Sequence, residues 1–277
     1  MGSRPLHLRL HLDHPGPGLD VRALCKGLEQ TLGSGLQIGV VDRESSVFSP
    51  TAPAARRSLA AAIAATKVTH PATDLPQGMG RRRTPFEGEV QFELRRLQGT
   101  ASAAGILYDG FWLQQVLAEM LPRNQASRDW LHLLLTNRLV GSYDHSDRRW
   151  HARMVLGGQP SIVSTTGMVL APALPRVFYT QRHLHEQSGS GVLGEHLRVQ
   201  MGEQVLQHDD PRQTEVALSL TLQAALYWQG LEAFCTTAGC RLEDTHAQDA
   251  LMRTHLQQPR LCPRHARWAS QFPQRQP

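Results

Sequence analysis

The sequence has no apolar run that approaches the roughly 18 residues needed to span a bilayer. Its first residues also lack the uninterrupted apolar segment of a secretion signal, because Arg9 and several histidines interrupt it. We therefore expect no membrane association and a cytoplasmic location. In a reducing compartment, clustered cysteines favour metal binding over disulfides.

Long blocks of one charge are also missing, although the formal net charge is +5. Acidic and basic residues alternate along the chain, apart from the triplet Arg81-Arg82-Arg83, which we interpret as a solvated loop. Aromatic residues make up only 6% of the chain and are not interleaved with arginine, as they are in many nucleic-acid-binding surfaces. We expect no nucleic-acid partner. No repeat of 20 to 50 residues is visible, which argues against a solenoid.

The opening of the chain predicts a β-α-β unit. Residues 6–12 alternate apolar and polar side chains, which is typical of a strand with one buried face. We interpret the histidines on the other face as solvated, with a metal site as the alternative. A helix should begin after Asp20 and end at Gly33, and residues 36–41 should form the next strand. Such a crossover predicts a parallel pair of strands and an α/β fold.

The middle of the chain predicts further helices and strands. We expect a helix over residues 50–66 and a short strand at 106–108 that leads into another helix. Residues 87–97 fit either a helix or a strand. Residues 130–140 are apolar on both faces, which predicts one central strand.

The second half predicts a hairpin and two helices. The hairpin, or a pair of neighbouring strands, comprises residues 151–156 and 161–165. One helix should cover residues 175–185, and a buried helix should begin at Pro211 with Asp209 and Asp210 as its charged cap.

Three of the four cysteines lie near the C-terminus. Cys235 and Cys240 bracket a four-residue turn, and Cys262 precedes His265 by three positions. Three thiolates and one imidazole make a closed tetrahedral set, which predicts one structural Zn²⁺ without an open position for substrate. The alternatives are a chance cluster, or a Cys235–Cys240 disulfide with His265 exposed. We interpret Cys25 as a small buried apolar residue.

The arrangement around these cysteines resembles the archaemetzincins. In these zinc peptidases an active-site helix with the motif HExxHxxGxxHC runs directly into a structural zinc site. Here a buried helix enters Cys-x₄-Cys, and Cys262-x-x-His265 follows. Residues 157–165 (GGQPSIVST) are similar to the Gly-Gly-x-x-x-Val-Val-Ser segment of that family, which is the edge strand beside the cleft.

Three further segments are closer to an uncharacterised branch of metallopeptidases. They are Arg148–Arg153, Ser164–Gly167 and Thr214–Val216. The resemblance covers residues 130–268.

The resemblance implies a metzincin-like α/β fold, with a mixed, mostly parallel sheet flanked by helices and a small C-terminal zinc-binding subdomain. It also implies three parts. Residues 1–100 would form an N-terminal α/β half, and residues 101–231 a metzincin-like core with a cleft edge strand and a degenerate active-site helix. Residues 232–277 would form the structural zinc subdomain.

The catalytic residues of the family are missing from this chain. Aligning Cys235 with the cysteine that ends HExxHxxGxxHC puts Ala224, Trp228 and Phe234 at the three histidines and Ala225 at the glutamate. A zinc peptidase needs three ligands and a carboxylate that accepts a proton from the bound water, and none of these side chains serves either purpose. A Gly-x-Ser-x-Gly nucleophile motif is also missing. We therefore assign no catalytic residue.

Three functional hypotheses follow. The first is a non-catalytic metzincin-like protein that binds a peptide or protein along its edge strand. The second is a zinc-dependent hydrolase with a non-standard catalytic site, whose ligands would come from His145, His151 or His208. The third is a zinc-stabilised interaction module without peptidase ancestry. Whether the protein is an enzyme stays open.

Overall fold

The computed structural model describes residues 6–76, 83–99, 105–187, 194–257 and 259–272. Arg81 and Arg82 of the basic triplet lie outside these residues. Arg83 is not a solvated loop residue, because its guanidinium binds Glu89 and donates to the carbonyl oxygen of Ala64.

The strands of the described residues form two sheets. They are β1 (Leu6–Asp13), β2 (Leu36–Val41), β3 (Leu107–Asp109), β4 (Trp130–Thr136), β5 (Leu139–Asp144), β6 (Arg149–Arg153), β7 (Val155–Leu156) and β8 (Ser161–Ser164). The larger sheet has the order β2-β1-β4-β8-β7, and all its pairs are parallel except β8–β7. The smaller has the order β3-β5-β6, in which only β5–β6 is antiparallel.

Helices cover both faces of the larger sheet. They are α1 (Val21–Leu32), α2 (Pro53–Ala65), α3 (Glu87–Leu97), α4 (Gly110–Ala118), α5 (Thr165–Leu170), α6 (Arg176–Gln187), α7 (Gly194–Gln200), α8 (Gln213–Trp228), α9 (Gln248–Leu251) and α10 (Pro263–Ser270). Residues 87–97 are therefore a helix, and α7 was not predicted. Among the described helices, none combines the length and the apolar character needed to cross a membrane.

The predicted β-α-β unit at the start of the chain is confirmed. The Asp20 carboxylate caps α1 by accepting hydrogen bonds from the amides of Arg22 and Ala23 at 2.9 and 3.0 Å. The helix ends at Gly33, whose φ of +70° suits glycine. β1 and β2 then pair in parallel, with Leu6 opposite Leu36.

The prediction of a single strand over residues 130–140 is wrong. Two strands, β4 and β5, belong to different sheets and are separated by Asn137 and Arg138. The buried Arg138 guanidinium donates to Glu93 at 2.6 Å and to Asp13 at 3.0 Å. These long-range ion pairs hold the turn, and the apolar pattern on either side does not reveal them.

The histidine face of β1 is not solvated, contrary to the prediction. His11 is 2% exposed, its Nδ1 lies 3.0 Å from Ser46 Oγ, and its Nε2 lies 2.9 Å from His132 Nδ1. Phe48 packs against the His11 ring, and the loop after β2 therefore covers this face.

Two predictions in the second half need correction. The helix expected from Pro211 begins at Gln213, and Asp209 and Asp210 do not cap it. Asp210 instead accepts hydrogen bonds from the amide and the guanidinium of Arg212. The hairpin is confirmed only for β7 and β8, because residues 151–153 of the predicted first strand belong to β6 of the smaller sheet. β8 is an internal strand of the larger sheet, and the edge is the antiparallel strand β7.

The larger sheet separates two hydrophobic clusters. Leu134 of β4 belongs to the cluster beneath α2, α3 and α4, whereas Leu133 and Leu135 belong to the opposite one, which we call the main core. The main core joins β1, α1 and α8 to Cys235, Cys240 and Trp268 from the C-terminal segment. All three predicted parts of the chain thus contribute to one core, and their division into domains stays a prediction. The architecture is mixed α/β with a mostly parallel sheet flanked by helices, as expected.

Candidate metal centre and an adjoining cleft

The four predicted metal ligands lie together. One ligand atom from each of Cys235, Cys240, Cys262 and His265 falls within 4.8 Å of the others. Cys235 Sγ and Cys262 Sγ are 3.9 Å apart, and His265 Nδ1 lies 3.5 Å from Cys240 Sγ and 3.3 Å from Cys262 Sγ. None of the four cysteines of the chain forms a disulfide, and the disulfide alternative is therefore wrong.

Local backbone geometry aims the ligands at one point. The Cys235 amide donates to the carbonyl oxygen of Leu242 at 2.7 Å, and Gly239 turns the chain with a φ of +76°. Cys240 forms a parallel bridge with Arg260, which brings the second pair of ligands alongside. Cys262 immediately precedes α10, so that His265 lies in the first turn of this helix.

These side chains fit a bound metal ion. A tetrahedron with Zn–S bonds of about 2.3 Å has edges of about 3.8 Å between sulfurs, close to the observed Cys235–Cys262 separation. Backbone amides also point at the sulfurs, as thiolates require. Thr237 donates to Cys235 Sγ at 3.3 Å, and Cys262 donates to Cys240 Sγ at 3.4 Å.

The local environment shifts the pKa values of the Cys240 and Cys235 thiols in opposite directions. Burial raises the pKa of the Cys240 thiol to about 11. Burial also acts on Cys235, but hydrogen bonds from Thr237 outweigh it and lower the pKa of that thiol. Burial and then Arg264 lower the pKa of His265, which keeps its imidazole neutral, as a metal ligand must be.

A cleft of about 250 Å³ adjoins this metal centre, and we call it the α8–β7 cleft. Its lining comes from α8, from β5, β6 and β7, from α4 and from the segment just before Cys235. The lining residues are Phe111, Ser142, Arg153, Val155, Leu156, Gly157, Gln223, Ala224, Tyr227, Ala233 and Phe234. They include no histidine and no carboxylate.

The residues aligned with the catalytic motif lie at or near this cleft. Ala224 and Phe234, which the resemblance aligns with the first and third histidines, line it. Ala225, which the resemblance aligns with the glutamate, is 2% exposed and belongs to the main core. Trp228 does not line the cleft, and its indole Nε1 donates to the carbonyl oxygen of Arg128. The cleft therefore has no catalytic group of the zinc-peptidase kind.

Two polar side chains of the cleft were not predicted from the sequence. Arg153 Nε donates to Ser142 Oγ at 2.7 Å. Gln223 Nε2 donates to the carbonyl oxygens of Leu242 and Glu243 at 3.2 and 3.4 Å. These residues come from different elements, and no local spacing connects them.

The structure does not bring the three alternative histidines together among the described residues. His145 packs edge-on against Tyr143, and His208 lies beside a separate cavity with Asp209 and Thr165. His151 forms a possible metal-binding group with Asp144 and Asp147, in which its Nε2 lies 2.8 Å from Asp147 Oδ2. Cys25 is half-buried against the main core, close to the interpretation from the sequence.

Comparison with known proteins gives a family but no characterised relative. No curated protein and no solved structure matches the chain. A family model matches residues 18–268, which include the four candidate metal ligands and the whole lining of the cleft. The chain therefore belongs to the family of unknown function DUF7001.

Proposed function

We propose that this protein is a non-catalytic, metzincin-like protein that holds one structural Zn²⁺ and binds a peptide segment in the α8–β7 cleft. The zinc would be held by Cys235, Cys240, Cys262 and His265, a closed set that stabilises structure and leaves no position for substrate. The protein would recognise its partner without cleaving it.

The observation that carries this proposal is the cleft itself. It lies between the buried helix α8 and the edge strand β7, directly before the first candidate metal ligand. Ala224 and Phe234 line it, and the resemblance to the archaemetzincins aligns them with two histidines of the catalytic motif. A binding groove without its metal ligands supports recognition and argues against hydrolysis.

The edge strand supports a peptide as the partner. In the described part of the sheet, β7 pairs only with β8, so its other side can accept main-chain hydrogen bonds from an added strand. Tyr227 and Phe234 offer exposed rings beside it, with 52% and 42% of their surfaces accessible. Aromatic side chains of this kind often dominate peptide affinity.

A peptide array followed by fluorescence anisotropy tests the proposal. We expect specific peptides to bind without being cut, as judged by mass spectrometry. Tyr227→Ala should weaken binding about tenfold, because it removes one aromatic wall. Tyr179→Ala is the matched control, since Tyr179 is similarly exposed on α6, away from the cleft. Equal affinity in both variants would contradict the assignment of the cleft.

The group of Asp144, Asp147 and His151 favours a second candidate, a hydrolase with a non-standard zinc site. Its carboxylates are already engaged, because Asp144 binds Ser146 and Asp147 binds His151. A second zinc that survives Cys235→Ser/Cys240→Ser, together with chelator-sensitive hydrolysis that His151→Gln abolishes, would replace our proposal with this one.

A further inference from the structure

We infer that the α8–β7 cleft recognises the free C-terminus of a peptide that ends in an apolar residue. This inference rests on the proposed function and specifies its ligand. Arg153 would bind the terminal carboxylate, and the apolar walls would take the last side chain.

The Arg153 guanidinium is the charge that selects the ligand. Only its Nε is used, in the hydrogen bond to Ser142, and its two terminal nitrogens have no partner in the described part of the chain. The cleft lining supplies no carboxylate to neutralise it. An arginine fork of this kind matches a carboxylate, which it can bind through two parallel hydrogen bonds.

Two acidic residues beside Arg153 are engaged elsewhere. A third, Asp144, accepts hydrogen bonds from Ser146, and the charge of Arg153 contributes to the lowering of the pKa of its carboxyl. Glu243 and Asp244 line an adjoining cavity together with Arg153. Glu243 accepts hydrogen bonds from the Gly239 amide and the Thr254 hydroxyl, and Asp244 lies 3.2 Å from His246. Neither makes an ion pair with Arg153, which therefore stays available for an anionic ligand.

Gln223 adds a second polar requirement. Its Nε2 donates to two backbone carbonyl oxygens, which fixes the amide so that Oε1 must act as the acceptor. The residue is 2% exposed, and Oε1 has no hydrogen-bond partner. A buried acceptor without a partner is costly, and a peptide N–H would relieve that cost. Because Oε1 is buried, it becomes reachable only when a neighbouring side chain of the lining rotates.

The shape of the cleft favours a chain end over an internal segment. Its volume of about 250 Å³ is below that of most small-molecule pockets, and it suits one or two residues. Phe111, Val155 and Leu156 provide the apolar surface for the last side chain. The Arg153 guanidinium matches the carboxylate of a terminal residue, and Gln223 Oε1 matches its amide N–H. The apolar wall matches its side chain.

Two versions of one peptide test this inference by calorimetric titration. Take a peptide found by the array that ends in leucine, and prepare it with a free carboxylate and with a C-terminal amide. We expect the carboxylate form to bind at least about tenfold more tightly, as a charge-assisted pair predicts. Arg153→Gln should abolish this preference, so that the carboxylate and amide forms bind the variant with similar affinity.

Arg149→Gln is the matched control, because Arg149 is an exposed residue of the same strand. It should keep the preference for the carboxylate. A preference that survives Arg153→Gln would overturn the assignment of Arg153. Equal binding of the two peptides by the wild-type protein would overturn the inference and leave the proposed function intact, whereas no binding of either would contradict the proposed function itself.

N-acetyl-leucine separates a peptide ligand from a small apolar acid with the same chemistry. It should bind at least about tenfold more weakly than the peptide, because it offers no upstream backbone to β7. Equal affinity would show that the ligand is a small apolar acid and would overturn the peptide part of the inference.

Discussion

Two buried histidines show how a single residue can acquire an unexpected role. Burial, followed by the charge effects of His132 and Arg9, lowers the pKa of His11 to about 3. Burial and Arg9 lower the pKa of His132 to about 4. Both imidazoles are therefore neutral at pH 7, and their mutual hydrogen bond of 2.9 Å depends on that neutrality.

These pKa values predict that acid destabilises the protein. The unfolded chain binds protons at its histidines near pH 6.5, before the folded protein does, so stability rises with pH across this range. The contribution is fully present above about pH 6.5 and is lost as the pH falls toward 3 to 4. Urea denaturation between pH 4 and 8 measures this loss as a fall in the free energy of unfolding. In His132→Gln the fall should be smaller than in the wild type by on the order of 2 kcal/mol.

His246→Gln is the control for this experiment, because the His246 side chain is 75% exposed. It should leave the pH profile of the free energy of unfolding unchanged. If His132→Gln has the same profile as the wild type, the buried pair does not control acid stability.

The candidate metal ligands were predictable residue by residue, whereas the polar residues that line the cleft were not. Cys235 and Cys240, and Cys262 and His265, are close in sequence, so their spacing alone indicated a shared ligand point. Arg153 and Gln223 are 70 positions apart, and each is unremarkable in its own segment. Only tertiary packing brings them to one cleft. The burial of His11 was unpredictable for the same reason, because Phe48, which packs against its ring, comes from the loop after β2.

At the scale of elements, Gly167 controls how closely α5 approaches β6. A Cβ at this position would lie 2.2 Å from the carbonyl oxygen of Arg153 and 3.0 Å from its carbonyl carbon. Backbone atoms cannot rotate away as a side chain can. Gly167 therefore allows the backbone of Arg153 to pack against α5. In this position the Arg153 guanidinium lines the cleft.

Gly167→Ala should destabilise the protein by about 1–3 kcal/mol, because the helix and the strand must separate. It should also reduce the preference for a peptide carboxylate, since Arg153 moves with its strand. Gly88→Ala is the control, because nothing lies within 4 Å of an added Cβ on α3. Alanine in that helix should raise stability by up to about 1 kcal/mol. Urea denaturation measures both changes, and a Gly167→Ala variant as stable as the wild type would contradict this account.

Elements with local signals were predicted well, and those set by distant contacts were not. The spacing of Leu24, Leu28 and Leu32 and the cap at Asp20 defined α1. The break between β4 and β5 depends on Arg138, whose partners Asp13 and Glu93 are 125 and 45 positions away. The apolar pattern of residues 130–140 carries no trace of those partners, so the sequence predicted one strand where there are two.

Across the whole molecule, the metal centre and the cleft share one short connection. Ala233 and Phe234 form part of the cleft wall, and Cys235 follows them directly. Cys235 and Cys240 also belong to the main core with α1 and α8. A bound metal would therefore fix the cleft wall as well as the C-terminal segment.

Removal of the metal should loosen the segment from Cys235 onward and weaken peptide binding together. A chelator would remove the ion that the thiols and His265 share. The four-residue turn between Cys235 and Cys240 would then lose its main constraint. Trp268 should keep α10 partly docked, because it is buried in the main core and its Nε1 donates to Gln229 Oε1 at 2.8 Å. We therefore expect proteolysis near residue 235 before the core unfolds, and an affinity for the peptide that falls at least about tenfold.

Limited proteolysis and anisotropy before and after chelation measure the two effects on one sample. Added zinc should reverse both, and Cys25→Ser should behave as the wild type because Cys25 is not a ligand. Cys235→Ser/Cys240→Ser should reproduce the chelated state without a chelator. If the metal-free protein resists the protease equally but loses the peptide, the metal acts at the cleft directly. Equal resistance and equal affinity with and without metal would mean that the centre stabilises neither the segment nor the cleft wall, although the two adjoin along the chain.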